Sequence, residues 1–175
     1  ESVVTQLDLD RIIEEDQEKV KAWQRVVMVQ CVGSRCPDNP NCSRVCCQSA
    51  IKNALRLLDL NPDVQVHVLY RDMRTYGFQE EYYQKARELG VIFSRYSLDA
   101  PPDVAASGSM VDVTFTDPII GRQITVAANC LCLSTGLVAD EDGEALGKRI
   151  SRALGNRQII GHLMREVFAV LAAVS

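Results

Sequence analysis

The stretch Arg25-Val-Val-Met-Val-Gln30-Cys31-Val-Gly-Ser-Arg-Cys36-Pro-Asp-Asn-Pro-Asn-Cys42-Ser-Arg-Val-Cys46-Cys47 decides how this chain folds. Its first six residues form a short β-branched, apolar run that reads as a buried strand. Asp38, Asn39, Pro40 and Asn41 then mark a loop. From Ser43 the spacing predicts a helix, because Cys47, Ile51, Ala54, Leu55 and Leu58 fall on one face. A strand, a turn and a helix in this order open the kind of unit that brings a helix N-terminus to a pyrophosphate. Here, however, the turn has the single glycine Gly33, and no G-x-G-x-x-G occurs in the chain. Cysteines stand in its place.

Outward from this unit the alternation continues. Asn61-Pro62-Asp63 breaks the helix, and Val64 to Tyr70 alternates like a strand. Phe78 to Leu89 reads as a second helix ended by Gly90, and Val91 to Tyr96 as a third strand. Pro101-Pro102 and Ser107-Gly108-Ser109 bracket a loop. Met110 to Phe115 and Gln123 to Leu133 read as two strands joined around Asp117-Pro118 and Gly121-Arg122. The order β-α-β-α-β followed by a β-meander predicts an α/β fold. It would be a Rossmann-like parallel sheet with right-handed crossovers and helices on its faces, of the pyridine-nucleotide-disulfide-oxidoreductase type. Residues 1–24, polar with an uneven helical pattern, read as a connecting helix or arm. Residues 25–145 read as the domain, and 146–175 as a C-terminal helical segment with Ile159, Leu163, Val167, Leu171 and Val174 on one stripe.

Composition narrows the partners. The 175 residues are 47% hydrophobic and 24% charged, enough for one ordinary core. A net charge of −4 offers no case for nucleic acid, and no apolar stretch is long enough for membrane insertion. An odd cysteine count with Cys46 and Cys47 adjacent fits a reducing compartment better than secreted disulfides. The start at Glu1 rather than Met fits a fragment of something longer.

Five of the seven cysteines lie between Cys31 and Cys47, and so dense a thiol set is how a protein holds a soft metal centre. On a helix from Ser43, Cys42 and Cys46 would share one side of the first turn, and Cys47 would lie about 100° further round. The helix N-terminus would favour a negatively charged cluster and lower thiol pKa values, with Arg35 and Arg44 adding compensation. Three states fit the spacing. They are an iron–sulfur cluster, zinc held by Cys31-x4-Cys36 and Cys42-x3-Cys46, and unliganded thiols. The zinc-bound and metal-free states would suit a domain that docks subunits. A thiol–disulfide enzyme is disfavoured by the lack of C-x-x-C. Cys130 and Cys132 share a strand face and read as core packing, and His67 and His162 carry no ligand pattern. Arg71 and Arg74 follow a strand end, where open α/β sheets bind ligands; the plainer reading pairs them with Glu80 and Glu81.

Several motifs also resemble the A-type subunit of heterodisulfide reductase. They are Gln30-Cys-Val-Gly-Ser-Arg35, Cys42-Ser-Arg-Val-Cys-Cys47, Leu69-Tyr-Arg-Asp-Met-Arg-Thr-Tyr-Gly77, the run Glu81 to Tyr96, and Ser134 to Asp142. The resemblance covers roughly residues 25–145. It implies a cytoplasmic iron–sulfur flavoprotein subunit of a heterodisulfide reductase-type redox complex, with an FAD-binding core and other subunits as partners. It implies a 4Fe-4S cluster on Cys31, Cys42, Cys46 and Cys47, and on the strand-end reading Arg71 and Arg74 would neutralise that cluster or contact a flavin. Cys36 is additional to that pattern. The FAD fingerprint and ferredoxin-type C-x2-C-x2-C runs are absent, so this chain would be the second nucleotide-type domain of such a protein. FAD would be bound mainly elsewhere, and the fragment would not be active alone.

Overall fold

The computed structural model describes residues 2–138, 143 and 145–149. In chain order the elements are β1 (Val3–Thr5), α1 (Gln6–Glu15), α2 (Gln17–Lys21), β2 (Arg25–Val32), α3 (Cys46–Leu60) and β3 (Gln65–Tyr70). They continue with α4 (Gln79–Glu88), β4 (Ile92–Arg95), β5 (Asp103–Ser107), β6 (Met110–Asp117), β7 (Arg122–Ala128) and β8 (Cys130–Thr135). Five strands form an all-parallel sheet in the order β1-β8-β2-β3-β4. The remaining strands form an antiparallel sheet, β5-β6-β7.

Strand alternation divides the core into two layers. On β2, Val26 and Met28 face a cluster containing Leu9, Ile13, Val20, Ala50, Ile51, Ala54, Leu57 and Ala86 from the four helices. Val27 and Val29 face the other way, against Val111, Val113 and Phe115 of β6 and Ala128 of β7. The expected parallel sheet and meander are therefore present. The helices, though, lie on one face of the parallel sheet, because the meander covers the other. Fully burying a Leu or Ile of this kind stabilises the fold by about 1.5–3 kcal/mol, so the helix layer belongs to the core.

Three sequence expectations are corrected. The segment 1–24, expected as a connecting helix or arm, does carry helices, but its described residues are built into the domain: β1 pairs with β8, and Leu9, Ile13 and Val20 are buried. A capping box starts α1, with the Thr5 hydroxyl accepting from Asp8 N at 3.2 Å and the Asp8 carboxylate accepting from Thr5 N at 3.1 Å. The loop expected after Pro102 is instead β5, an exposed strand with no apolar alternation to reveal it. The run Gln123–Leu133 is two strands in two sheets. The break is Asn129, whose Oδ1 accepts from Gln24 N and Arg25 N at 2.9 and 3.0 Å. The C-terminal helix expected over 146–175 falls, beyond residue 149, outside the described residues.

Candidate functional site

The parallel sheet brings three strand ends together. Cys31 is the next-to-last residue of β2, the Cys46 thiol lies 3.9 Å from Thr135 O at the end of β8, and the Cys47 thiol lies 3.8 Å from Asp72 O just past β3. The start of α3 faces them, with no side chain capping its first turn. Carboxyl ends of parallel strands and an open helix N-terminus are where α/β sheets hold anionic groups.

The backbone here departs from regular geometry in a concentrated way. Among the described residues, the non-glycine residues with positive φ are Cys31 at 62°, Arg35 at 55° and Arg44 at 65°, all within the cysteine segment. Such conformations cost of order 1–3 kcal/mol each and cluster at functional sites. The β2–β8 register also shifts between Val29 and Val32, so Cys31 sits on an irregularity.

α3 begins at Cys46 and not at Ser43. The Ser43 hydroxyl, at the expected helix start, accepts from Leu137 N at 2.8 Å and ties the loop to the chain just past β8. Cys42 is consequently in the loop ahead of the helix, and the expected pairing of Cys42 with Cys46 on one helical turn is corrected. The four thiols are nevertheless neighbours. Cys31 and Cys42 act electrostatically on Cys46, and Cys31, Cys42 and Cys46 all act on Cys47. Cys36 has no such influence on them. It sits in its own turn, with its thiol 3.9 Å from Asn39 O and backbone bonds to Asn39 in both directions.

The loop between Cys31 and Cys46 is gripped by arginines and by a close contact. Arg71 is buried, and its Nη1 and Nη2 donate to the carbonyls of Arg35 at 2.9 Å and Ser34 at 2.6 Å. Arg35 and Arg95 both pair with the Asp72 carboxylate, whose pKa is lowered chiefly by the Arg35 hydrogen bond. Arg35 also lies against the Cys31 thiol. Arg74, half-buried, contributes its backbone beside Cys47. Neither Arg71 nor Arg74 is paired with Glu80 or Glu81; Glu80 accepts instead from the Thr75 hydroxyl at 3.2 Å. At Gly136, whose N–H donates to Val32 O at 2.7 Å, an added Cβ would lie 2.6 Å from Gly33 O.

Thiol acidity runs against the sequence expectation. Burial pushes the Cys46 thiol up, and pushes Cys47 up to about 11, with neighbouring thiolates adding to the effect. Desolvation and like charge outweigh the helix N-terminus. These thiols are held protonated until a cation takes the proton's place, which is how metal ligation couples to pH. Among the described residues no three His, Cys, Asp or Glu side chains converge closely enough to hold a single ion. A cleft of about 400 Å³ reaches Cys46 from the α1 side, between Gln6, Lys52, Asn53 and Thr135.

Cys130 and Cys132 are fully buried in the helix-side core, as their spacing indicated. His67 is a half-buried packing residue, bonded to the Ser94 hydroxyl at 3.0 Å and edge-on to Phe115. His162 lies outside the described residues. Gln30 was not singled out in the sequence. It is fully buried next to Cys31 in the chain, and neither its Nε2 nor its Oε1 has a partner among the described residues. Two further buried donors lack partners, Arg35 Nη1 and Arg71 Nε. A glutamine ending an otherwise apolar strand was the available signal.

No protein-family model matches the chain. Curated relatives do. The chain is 34% identical over 165 residues to the A-type subunit of the H(2)/formate:CoB-CoM heterodisulfide,ferredoxin reductase of Methanococcus maripaludis, covering 86% of this chain and 25% of that protein. It is 32% identical over 167 residues to the A-type iron-sulfur subunit of the CoB--CoM heterodisulfide reductase of Methanocaldococcus jannaschii, covering 88% of this chain and 25% of that protein. Among solved structures, the thioredoxin reductase of T. acidophilum aligns over 79% of this chain and 37% of its own, at 14% identity and a TM-score of 0.48. No helix among the described residues is long and apolar enough to cross a membrane. The chain spans about a quarter of the length of the curated relatives it matches, and over that span it is similar to heterodisulfide reductase A-type subunits.

Proposed function

We propose that this chain is an electron-transfer segment of an iron–sulfur flavoprotein like the A-type subunit of heterodisulfide reductase, holding a 4Fe-4S cluster through Cys31, Cys42, Cys46 and Cys47. One observation carries the reading: Cys31 near the end of β2, Cys42 in the loop and Cys46 and Cys47 at the start of α3 are electrostatic neighbours beside three strand ends, while Cys36 is turned into its own hairpin. The donor chemistry fits the group. Thiolates are the usual ligands of iron–sulfur clusters, and each binds a different iron, so they need to face a common space and not one point. Zinc needs its four ligands around one ion, and no three donors among the described residues meet that demand. The buried, unpaired Arg35 Nη1 and Arg71 Nε are hydrogen-bond donors suited to sulfur.

When bound, such a cluster supplies a one-electron carrier that exchanges electrons without breaking a substrate bond. The chain's own residues do the rest. Arg71 fixes the loop between Cys31 and Cys42 through the carbonyls of Ser34 and Arg35 and places a buried positive charge against that backbone. Arg35 adds charge at Cys31, and the uncapped first turn of α3 adds partial positive charge at Cys46 and Cys47. The meander shields the sheet's other face, leaving the cleft at Cys46 as the approach for a neighbouring redox group. FAD would be held mainly by parts of a parent protein outside this chain, with Arg71 and Arg74 at the boundary. The partners would be other subunits of a cytoplasmic heterodisulfide reductase-type complex, and the activity would belong to that complex.

Anaerobic reconstitution with iron and sulfide tests the reading. The wild-type chain should take up both in equal amounts, turn brown and give an iron–sulfur EPR signal on reduction. Alanine at Cys31, Cys42, Cys46 or Cys47 should abolish most of that uptake. Uptake of zinc in preference to iron, with no bound sulfide, would sink the proposal.

A further inference from the structure

We infer that Gln30 donates a hydrogen bond from its side-chain Nε2 to a sulfur of the cluster site at the end of β2, and so makes that site easier to reduce. The inference rests on the iron–sulfur reading above.

Gln30 is 0% exposed, and both polar ends of its side chain lack a partner. Burying an amide without a hydrogen bond is unfavourable, and an apolar residue of similar volume would pack there at lower cost. Earlier on β2, the positions of the same parity are the apolar Val26 and Met28, facing the helix layer. Gln30 continues that alternation to the end of the strand, where α3 begins and Cys47 is buried. The position is tightly determined. The Tyr96 hydroxyl donates to the Gln30 carbonyl, and the next residue, Cys31, turns away with a φ of 62°. The backbone that carries the carboxamide is therefore fixed next to the first cysteine, and the carboxamide N–H has no acceptor among the described residues.

It is not alone. Arg35 Nη1 and Arg71 Nε are the other buried, unpaired nitrogen donors among the described residues, and Arg71 grips the backbone of Ser34 and Arg35. Three donors from separate parts of the chain thus lack acceptors around one group of cysteines. Sulfide and thiolate sulfurs accept hydrogen bonds, and such bonds are among the factors that set cluster potentials. Reduction adds one electron, and negative charge, to the centre. A donor at fixed distance stabilises the reduced form more than the oxidised form, so removing it shifts the potential downward.

The test uses the whole 175-residue chain, reconstituted anaerobically with iron and sulfide. The centre is reduced by one electron with dithionite through mediators and followed by EPR. Gln30→Met keeps the length of the side chain and removes the N–H; Gln30→Glu keeps the shape and replaces the donor with a carboxylate. Both should bind iron and sulfide. Gln30→Met should lower the reduced-to-oxidised ratio at fixed potential about tenfold, equivalent to about 59 mV for one electron, and Gln30→Glu should lower it further. Without iron, Gln30→Met should melt no lower than wild type, since no protein partner is lost. An unchanged potential in either loaded variant overturns the inference, as does a lower iron-free melting temperature with unchanged potential, the mark of a buried water or protein partner. Should Gln30→Met fail to fold, Gln30→Glu alone decides. Wild-type protein that takes up no iron and sulfide brings down the iron–sulfur reading itself, a different result from a loaded protein with an unmoved potential.

Discussion

Cysteine is used in two ways in this molecule. Cys130 and Cys132 lie inside β8, in register with Val26 and Met28 of β2, fully buried among apolar side chains. Cys31, Cys42, Cys46 and Cys47 lie where that regularity stops, at strand ends, in a loop with positive φ angles and at a helix start. The first pair act as small hydrophobes whose sulfur could be almost any apolar group. The second set hold positions that packing alone does not reward. Residue type is the same in both; the backbone around it separates packing from chemistry.

The largest expected effect that sharpens this contrast concerns alkaline stability. Burial pushes the Cys130 thiol up to about 12 from its ordinary value near 9, and Cys132 further still. Both raised thiols favour the protonated native state. Their stabilising effect is complete below about pH 9, where unfolded thiols are also protonated, and is lost as pH rises toward the native values. In that window each raised thiol costs the fold about 1.4 kcal/mol per pH unit. Iron-free protein should therefore lose stability steeply above pH 9. The double variant Cys130→Ala, Cys132→Ala should be less stable than wild type at pH 7 but fall off less steeply above pH 9. Equal slopes in denaturant titrations across that range would show that the core pair is not what titrates.

A middle-sized effect is expected where the two regions meet. β8 leaves the core at Thr135, and Gly136 passes so close to the loop that an added Cβ would lie 2.6 Å from Gly33 O and 2.8 Å from Ser34 Cβ. Backbone cannot yield as a flexible side chain would, so Gly136→Ala should cost about 1–3 kcal/mol, as overpacking does. It should also displace the loop held by Arg71, and so reduce iron uptake, while far-ultraviolet circular dichroism stays near wild type. Wild-type melting and wild-type iron uptake together would show that the contact is not tight in solution.

How much could be read from the sequence follows the same division. β2, β3, α3, α4 and β4 were legible because apolar residues repeat at the periods their elements impose. β1 was not, since Val3–Thr5 is too short for any period, and with it went the integration of Leu9 and Ile13 into the core. The join between β7 and β8 was hidden because Asn129 is one polar residue inside an apolar run, and its capping of Gln24 and Arg25 is set far away in sequence. At the site, the density of cysteines was visible but their geometry was not. The spacing placed the helix start at Ser43, yet its hydroxyl accepts from Leu137 N in a tertiary contact and the helix begins at Cys46. Gln30 was invisible because its significance lies in partners it lacks.

The smallest effect is expected at Cys36, where the comparison is most exposed to failure. By sequence Cys36 belongs with the site cysteines, being inside the same loop and spaced from Cys31 as a zinc ligand would be. By structure it belongs with neither set. Its thiol is half-buried against Asn39 O, and its N–H and C=O close a small turn with Asn39 at 3.0 and 3.1 Å. That turn is made by the backbone, and the Asn39 side chain anchors it by donating to Gly33 O at 3.0 Å. None of these bonds except the long thiol contact needs the sulfur. Cys36→Ala should therefore change stability by no more than about 0.5 kcal/mol, the usual range for a surface replacement away from special features. Iron and sulfide uptake should match wild type, and the EPR spectrum should be superimposable. Loss of iron in Cys36→Ala with retention in Cys31→Ala would exchange the roles of the two residues. It would also mean that thiol proximity to Cys46 and Cys47 is the wrong criterion for membership of the site.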